Sequence, residues 1–330
     1  MSNNKKIKES ILIKDEEDTN WSYGYKPSER PTDLYLKLGI INLDKPPGPT
    51  SHQVAAWVKQ IIGLGKVGHG GTLDPDVTGV LPIGLLNATS SMHYITESNK
   101  SYVGIIKLHG KVNKEKIEEL FTSLHGKLYQ RPPQKSAVRR KLRTREIYKL
   151  DLIELEDRNI FFQVDCQHGF YVRKLAHDVG LILGVDAHLS ELRRIKAGPF
   201  IETESMCNLY DVLKVFNNIK TNSDYSELKN VVLPIESVFI NVPKIIIRDS
   251  SISSIAHGAA LSAPGVLQII GKFTKNNLVL LSSLKGEAVS ICTAQMDYDE
   301  ILKADKGIVA KSNRVFMNRD LYPRLWRKNI

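Results

Sequence analysis

Asp74 lies in the stretch Gly68-His69-Gly70-Gly71-Thr72-Leu73-Asp74-Pro75-Asp76-Val77-Thr78-Gly79-Val80-Leu81-Pro82. Four glycines and two prolines in these fifteen residues specify a backbone that turns tightly and approaches something closely. Pro75 pushes Asp74 toward extended geometry and away from helix. On the loop alone, such an aspartate is more often a turn-former bonded to its own backbone than a reacting carboxylate. A second cluster, Cys166-Gln-His168-Gly169-Phe-Tyr171-Val-Arg173-Lys-Leu175-Ala-His177-Asp178-Val-Gly180, bears on that choice. It reads as a strand, a glycine turn and a helix start, with Arg173 in the first helical turn, where the helix dipole favours anions. An arginine so placed either answers a carboxylate elsewhere or is a plain surface residue. A two-pronged pair with Asp74 would satisfy both groups.

Charge supplies the next signal. The 330-residue chain carries a formal net charge of +10 and a pI of about 9.3. Residues 1–30 balance six basic against six acidic side chains. Residues 128–149 instead hold Arg131, Lys135, Arg139, Arg140, Lys141, Arg143, Arg145 and Lys149 against the single Glu146. A block of that sign repels itself unless a polyanion or a carboxylate face neutralises it, so contact with a nucleic-acid backbone is the expectation.

The elements that position these residues follow from pattern. Gly39–Asp44 reads as a short strand, closed by Lys45-Pro46-Pro47-Gly48-Pro49. Thr50 and Ser51 are N-cap types ahead of Val54, Ala55, Trp57, Val58, Ile61 and Ile62, a helical stripe stopped by Gly63. Strands are predicted near Tyr102–Leu108, Ile147–Leu155 and Ile160–Cys166, and helices over Lys114–Leu124 and Val172–Leu183. Strands and helices that do not alternate strictly indicate an α+β fold with a largely antiparallel sheet. Residues 218–230 are polar and read as a connection. After them, short strands with turn signals at Pro264-Gly265, Asn276-Asn277 and Lys285-Gly286 suggest a small mostly-β barrel ending near Met317. Trp21, Tyr23 and Tyr25 make the end of the first thirty residues too apolar for a free tail.

Other chemistries are disfavoured. Gly63-Leu-Gly65-Lys-Val-Gly68 matches a dinucleotide fingerprint, but it follows a helix and no strand precedes it. Cys166, Cys207 and Cys292 show no CxxC spacing and read as buried thiols. No eighteen-residue apolar run is present, and the first ten residues lack an apolar leader, so an intracellular protein without a membrane span is expected.

Three stretches, NLDKPPGPTSH, GGTLDPDVTGVLP and CQHGFYVRKLAHDVG, resemble the TruB branch of pseudouridine synthases, in its archaeal dyskerin group. KGIVAKSNRVFM (306–317) resembles the PUA domain of the same group. The resemblance implies a mixed, largely antiparallel synthase sheet with flanking helices over residues 36–235 and a PUA barrel over 236–320. An N-terminal extension over 1–35 would pack on the PUA domain, and 321–330 would be a basic tail. It places the catalytic aspartate on Asp74, its arginine on Arg173 and the stacking tyrosine on Tyr102. It puts Tyr171, Leu175 and His69 at the nucleotide pocket, and Lys45 in loop support or phosphate contact. RNA contact by Arg139, Arg140, Lys141, Arg143 and Arg145 is implied as well. A buried Asp74, kept ionised by Arg173, would detach uracil from C1′ and allow reattachment through C5, with no cofactor and no metal. The implied partners are guide RNA, substrate RNA (ribosomal, with tRNA as a second possibility) and the small protein subunits of a box H/ACA particle, in the cytoplasm of an archaeon. A stand-alone tRNA synthase and a non-catalytic RNA scaffold are the two other readings; the triad Asp74, Tyr102 and Arg173 argues against the scaffold.

Overall fold

The computed structural model describes residues 11–131 and 141–324, so Arg139 and Arg140 lie outside the described residues. The chain divides into two compact units, residues 39–233 and residues 1–38 with 234–330.

In the first unit the elements that matter for the site are strands β1 (Gly39–Lys45), β2 (Val67–His69), β3 (Thr78–Leu85), β4 (Lys100–Leu108), β5 (Gly126–Gln130), β6 (Arg143–Glu156), β7 (Asn159–Cys166) and β8 (Ala187–Ala197). Helices α1 (Ser51–Ile62), α2 (Lys114–Ser123), α3 (Val172–Leu183) and α4 (Leu209–Asn222) accompany them. The strands form one mixed sheet in the order β1-β3-β8-β4-β7-β6-β5, with β2 on β3. Every pairing along that path is antiparallel except β3 with β8. The α+β reading is therefore sound, and the one parallel step brings the end of the Asp74 loop beside β8.

The local causes are those expected of each segment. In α1 the Thr50 side chain accepts from Gln53 N and the Gln53 side chain answers the Thr50 backbone, a capping box, while Gly63 closes the helix at φ 76°. Val54, Ala55, Val58 and Ile62 are buried on one face. Helix α3 buries Val172, Leu175, Ala176 and Val179 in a core with Phe162, Val164 and Phe170. Residues 218–222, expected in a connection, are instead the last turns of α4. A second capping box on Asn208 and the buried Val212, Val215 and Phe216 fix that helix early enough for polar residues to continue it.

In the second unit a seven-stranded sheet runs Ile11–Ile13, Val266–Ile270, Lys244–Ile247, Leu278–Ser282, Ala288–Ala294, Ile308–Val315 and Leu261–Ser262. Ile11 pairs with Ile270 across its first two strands. Arg30 is buried and grips both carboxylate oxygens of Glu236, at 2.9 and 2.5 Å. Tyr23 packs edge-on against Tyr322 with ring centres 5.1 Å apart, so one of the three N-terminal aromatics covers the β core. Trp21 does not; it is 65% exposed, and its indole takes Lys26 and Lys285 as cationic neighbours instead. No helix among the described residues is long and apolar enough to cross a membrane.

Candidate active site

Asp74 is held through its two chain neighbours. On one side the Ser51 hydroxyl accepts from Leu73 N at 2.8 Å and donates to Leu73 O at 3.1 Å. On the other, Lys45 Nζ donates to Pro46 O, Pro75 O and Val77 O at 2.8, 2.7 and 2.9 Å. Gly48 N adds a bond to Pro75 O at 3.0 Å. Lys45 is wholly buried, and burial lowers the pKa of its ammonium against the pull of Asp76 and Asp74. It is thus a brace for the turn and cannot touch a phosphate. Ser51, read from sequence as a capping type, leaves the cap to Thr50 and spends its hydroxyl on the loop.

Arg173 arrives from the other side, in the first turn of α3. The buried Gln130 amide, at the end of β5, clamps the residue before the helix. Its Nε2 donates to Tyr171 O at 3.1 Å and its Oε1 accepts from Tyr171 N at 2.9 Å. Arg173 NH2 then stands 2.9 Å from Asp74 Oδ2. An ion pair between them therefore exists, carried by this one close contact. The expectation of a buried Asp74 does not hold: the two side chains are 47% and 44% exposed. The pair opens on a cleft of about 790 Å³, within the range that holds a small ligand. Val103, Ile105, Ile153, Phe161 and Leu192 supply its apolar wall. Arg193 is also on that wall, but it is already answered by both oxygens of Asp44, at 3.0 and 2.9 Å, and by Glu202 at 2.5 Å. Among the described residues no second carboxylate answers Arg173, so its pair with Asp74 stays addressable from the cleft.

The other residues singled out from sequence are placed as follows. Tyr102 is half-buried, opposite Arg194 in the β4–β8 register, while its neighbours Val103, Gly104 and Ile105 line the cleft. Burial raises the Tyr102 phenol pKa, and Arg194 opposes that rise. Leu175 is 1% exposed and sits in the α3 core, not on the cleft wall. Tyr171 is the half-buried residue ahead of α3, held by Gln130. Lys141 is exposed and Arg143 half-buried. Arg145 lies against Gly169, whose backbone at φ +71° leaves room for the guanidinium only because it bears no Cβ; a Cβ there would stand 3.0 Å from Arg145 Nε. Arg145 is therefore packed on the turn before Arg173, with its NH1 donating to Thr144 O at 2.8 Å. Leu192, Arg193 and Arg194 were not anticipated; the double arginine in a strand, which sends one guanidinium to each face, was the available signal.

His69 is half-buried on β2, edge-on to His52 with ring centres 4.7 Å apart, and its buried Nδ1 has no hydrogen-bond partner among the described residues. Burial first, then the charges of His52 and Arg194, push its pKa down to about 4. The unfolded chain takes up that proton near pH 6.5 and the folded chain does not, so His69 removes stability as pH falls from about 6.5 toward 4 and is neutral above that window. Urea midpoints at pH 7.5 and pH 5 should fall further for the wild type than for His69→Gln. Equal falls would show that His69 does not titrate this way.

An acid–arginine pair open to a nucleoside-sized cleft, on a mixed sheet and in one chain with a small β unit and a basic segment, fits an enzyme that modifies a base in RNA. The chain belongs to the TruB family of pseudouridylate synthases, and so is a pseudouridine synthase, an isomerase. The N-terminal domain of that family matches residues 59–172, and the tRNA pseudouridylate synthase B C-terminal domain matches 173–240. A DKCLD domain matches 4–55 and a PUA domain 243–316. The probable tRNA pseudouridine synthase B of Thermococcus kodakarensis is 43% identical over 323 residues, 98% of this chain and 96% of the relative. A solved structure of an H/ACA RNP bound to a substrate RNA containing 2′-deoxyuridine includes a chain 40% identical to this one. The match has a TM-score of 0.91 and covers 97% of this chain and 98% of that one. A Cbf5-Nop10-Gar1 complex gives 42% identity, the same TM-score of 0.91, and the same two coverages of 97% and 98%.

Proposed function

We propose that this chain converts chosen uridines to pseudouridine as the catalytic subunit of a guide-RNA particle, with Asp74 as the reacting carboxylate. In the reaction the N1–C1′ bond of uridine breaks, the uracil turns and a C5–C1′ bond forms, while the C5 proton leaves and N1 gains one. Asp74 takes the role of nucleophile or base toward the sugar or the ring, and Arg173 orients it. Tyr102 supports the ring and relays the C5 proton, its oxygen taking that proton as its own passes on, through water, to N1. The observation that carries the reading is the 2.9 Å Asp74–Arg173 pair at the mouth of a cleft with one apolar wall. An anion there faces solvent on one side and apolar side chains on the other, the setting in which a bound base excludes water and strengthens the pair.

The particle assignment rests on near full-length likeness to chains solved in H/ACA complexes with substrate RNA and with small protein partners. Residues 1–35 with 236–320 would grip the guide, and Lys141 and Arg143 with the segment that carries Arg139 and Arg140 would meet RNA backbone. The tail at 321–330 would add charge, and an archaeal cytoplasm is the place for such a particle. A second reading, a stand-alone enzyme acting on tRNA, is favoured by the names of the curated relatives. The deciding assay offers labelled tRNA, and separately a guide–target RNA pair, to the chain alone and to the chain with the small partner proteins. Pseudouridine in the target that needs both guide and partners supports the particle. Efficient conversion of tRNA by the chain alone, with no guided product, would overturn it in favour of the second reading.

A further inference from the structure

Arg194 is 1% exposed, and among the described residues no carboxylate pairs with it. A buried guanidinium is destabilising unless its protons are used. Arg194 uses its own in three directions. Nε donates to Val80 O in β3 at 2.8 Å, NH2 to Gly71 O at 3.1 Å and NH1 approaches Thr72 O at 3.5 Å. The same guanidinium interacts with the Tyr102 side chain. Its backbone is equally placed, opposite Gly79 in the parallel β3–β8 pairing and opposite Tyr102 in the antiparallel β4–β8 pairing. Gly79, at φ +100°, permits this approach; a Cβ at that position would lie 2.2 Å from Arg194 O.

One residue thus touches the turn two and three positions before Asp74, the strand that leaves the same loop, and the tyrosine of the neighbouring strand. We propose that Arg194 is a positioning residue that registers the Asp74 loop against Tyr102, so that carboxylate and phenol act on one nucleotide. The inference rests on the assignment of Asp74 and Tyr102 made above. A lysine would not serve, because its single nitrogen cannot reach Val80, Gly71 and Tyr102 together, whereas the planar fork spans them. Lys100 nearby shows the contrast. Its Nζ spends itself on Ile95 O, Thr96 O and Ser98 O, and burial first, then the charge of Arg194, pushes it down to about 7. The permanent charge at this point belongs to Arg194.

The test compares single-turnover pseudouridine formation, RNA affinity and thermal midpoint in wild type, Arg194→Lys, Tyr102→Phe, the double variant and Asp74→Asn, each assembled with guide and partners. For a folded Arg194→Lys protein the expected result is a rate at least about thirtyfold lower with RNA affinity within about threefold. The double variant should then be much less impaired than the product of the two single losses. A wild-type rate in Arg194→Lys, or losses that multiply fully, overturns the proposal. Should Arg194→Lys fail to fold, nitrogen-detected NMR of the arginine side chains in wild type and Tyr102→Phe decides. Arg194 guanidinium signals that shift on loss of the phenol support the contact, and unchanged signals overturn it. Activity surviving in Asp74→Asn would instead bring down the active-site assignment itself, so the two failures are distinct.

Discussion

Asp74→Asn is expected to slow pseudouridine formation at least about a thousandfold, about 4 kcal/mol of barrier, while RNA affinity stays within about threefold. The substitution keeps the shape of the side chain and removes only its charge and one acceptor oxygen. It does not disturb the turn, because the turn is set by Ser51 on Leu73 and by Lys45 on Pro75 and Val77, none of which uses the Asp74 carboxylate. Nor does it cost appreciable stability. The pair with Arg173 is about half exposed, and ion pairs in that setting contribute at most about 1 kcal/mol. Rate and stability should therefore separate cleanly: a single-turnover assay falls to near background while the thermal midpoint barely moves. A variant that stays within tenfold of wild type would show that the carboxylate does no chemistry.

Arg173 gives the second large effect. Arg173→Met is expected to lower the rate about a thousandfold and Arg173→Lys about a hundredfold, since the ammonium keeps the charge but loses the planar donors that fix the carboxylate. The helix makes an opposite demand. A cation in the first turn of α3 opposes the helix dipole, at a cost of about 0.3–1 kcal/mol. Removing it should leave the thermal midpoint unchanged or slightly higher. A residue that costs stability where it stands, and whose loss abolishes turnover, is placed there for the substrate. If Arg173→Met turned over at the wild-type rate, or melted well below it, the arginine would belong to the fold.

The fold was legible where a segment carries its own instructions. Helix α1 has an apolar stripe, a capping box and a terminal glycine within fourteen residues, and the structure ends it where those signals do. Arg173 was legible for an opposite reason: it violates a local rule, and the violation pointed to its partner. Other features depended on residues far apart in the chain. Lys45 sits in a polar turn and resembles a phosphate hook until Pro75 and Val77, thirty and thirty-two residues on, wrap it completely. Which face of β4 Tyr102 occupies depends on an irregularity in the β4–β8 register between Ser101 and Tyr102, which shifts side chains between faces and leaves no mark in the sequence. The polar residues at 218–222 misled because helix continuation depends on what the preceding turns bury, not on their own apolarity.

The unit built from both ends of the chain sets a timetable for biosynthesis. Ile11 finds its partner at Ile270, and Arg30 finds its partner at Glu236. At about 5–20 residues per second, the first strand leaves the ribosome roughly ten to fifty seconds before the strand it needs. Through that interval residues 39–233 can close on their own contacts. The opening segment, with Trp21, Tyr23, Tyr25 and unpaired strand edges, has no completed sheet to join. A segment made well before its partners is thus secured only after residues 236 and 270 have emerged.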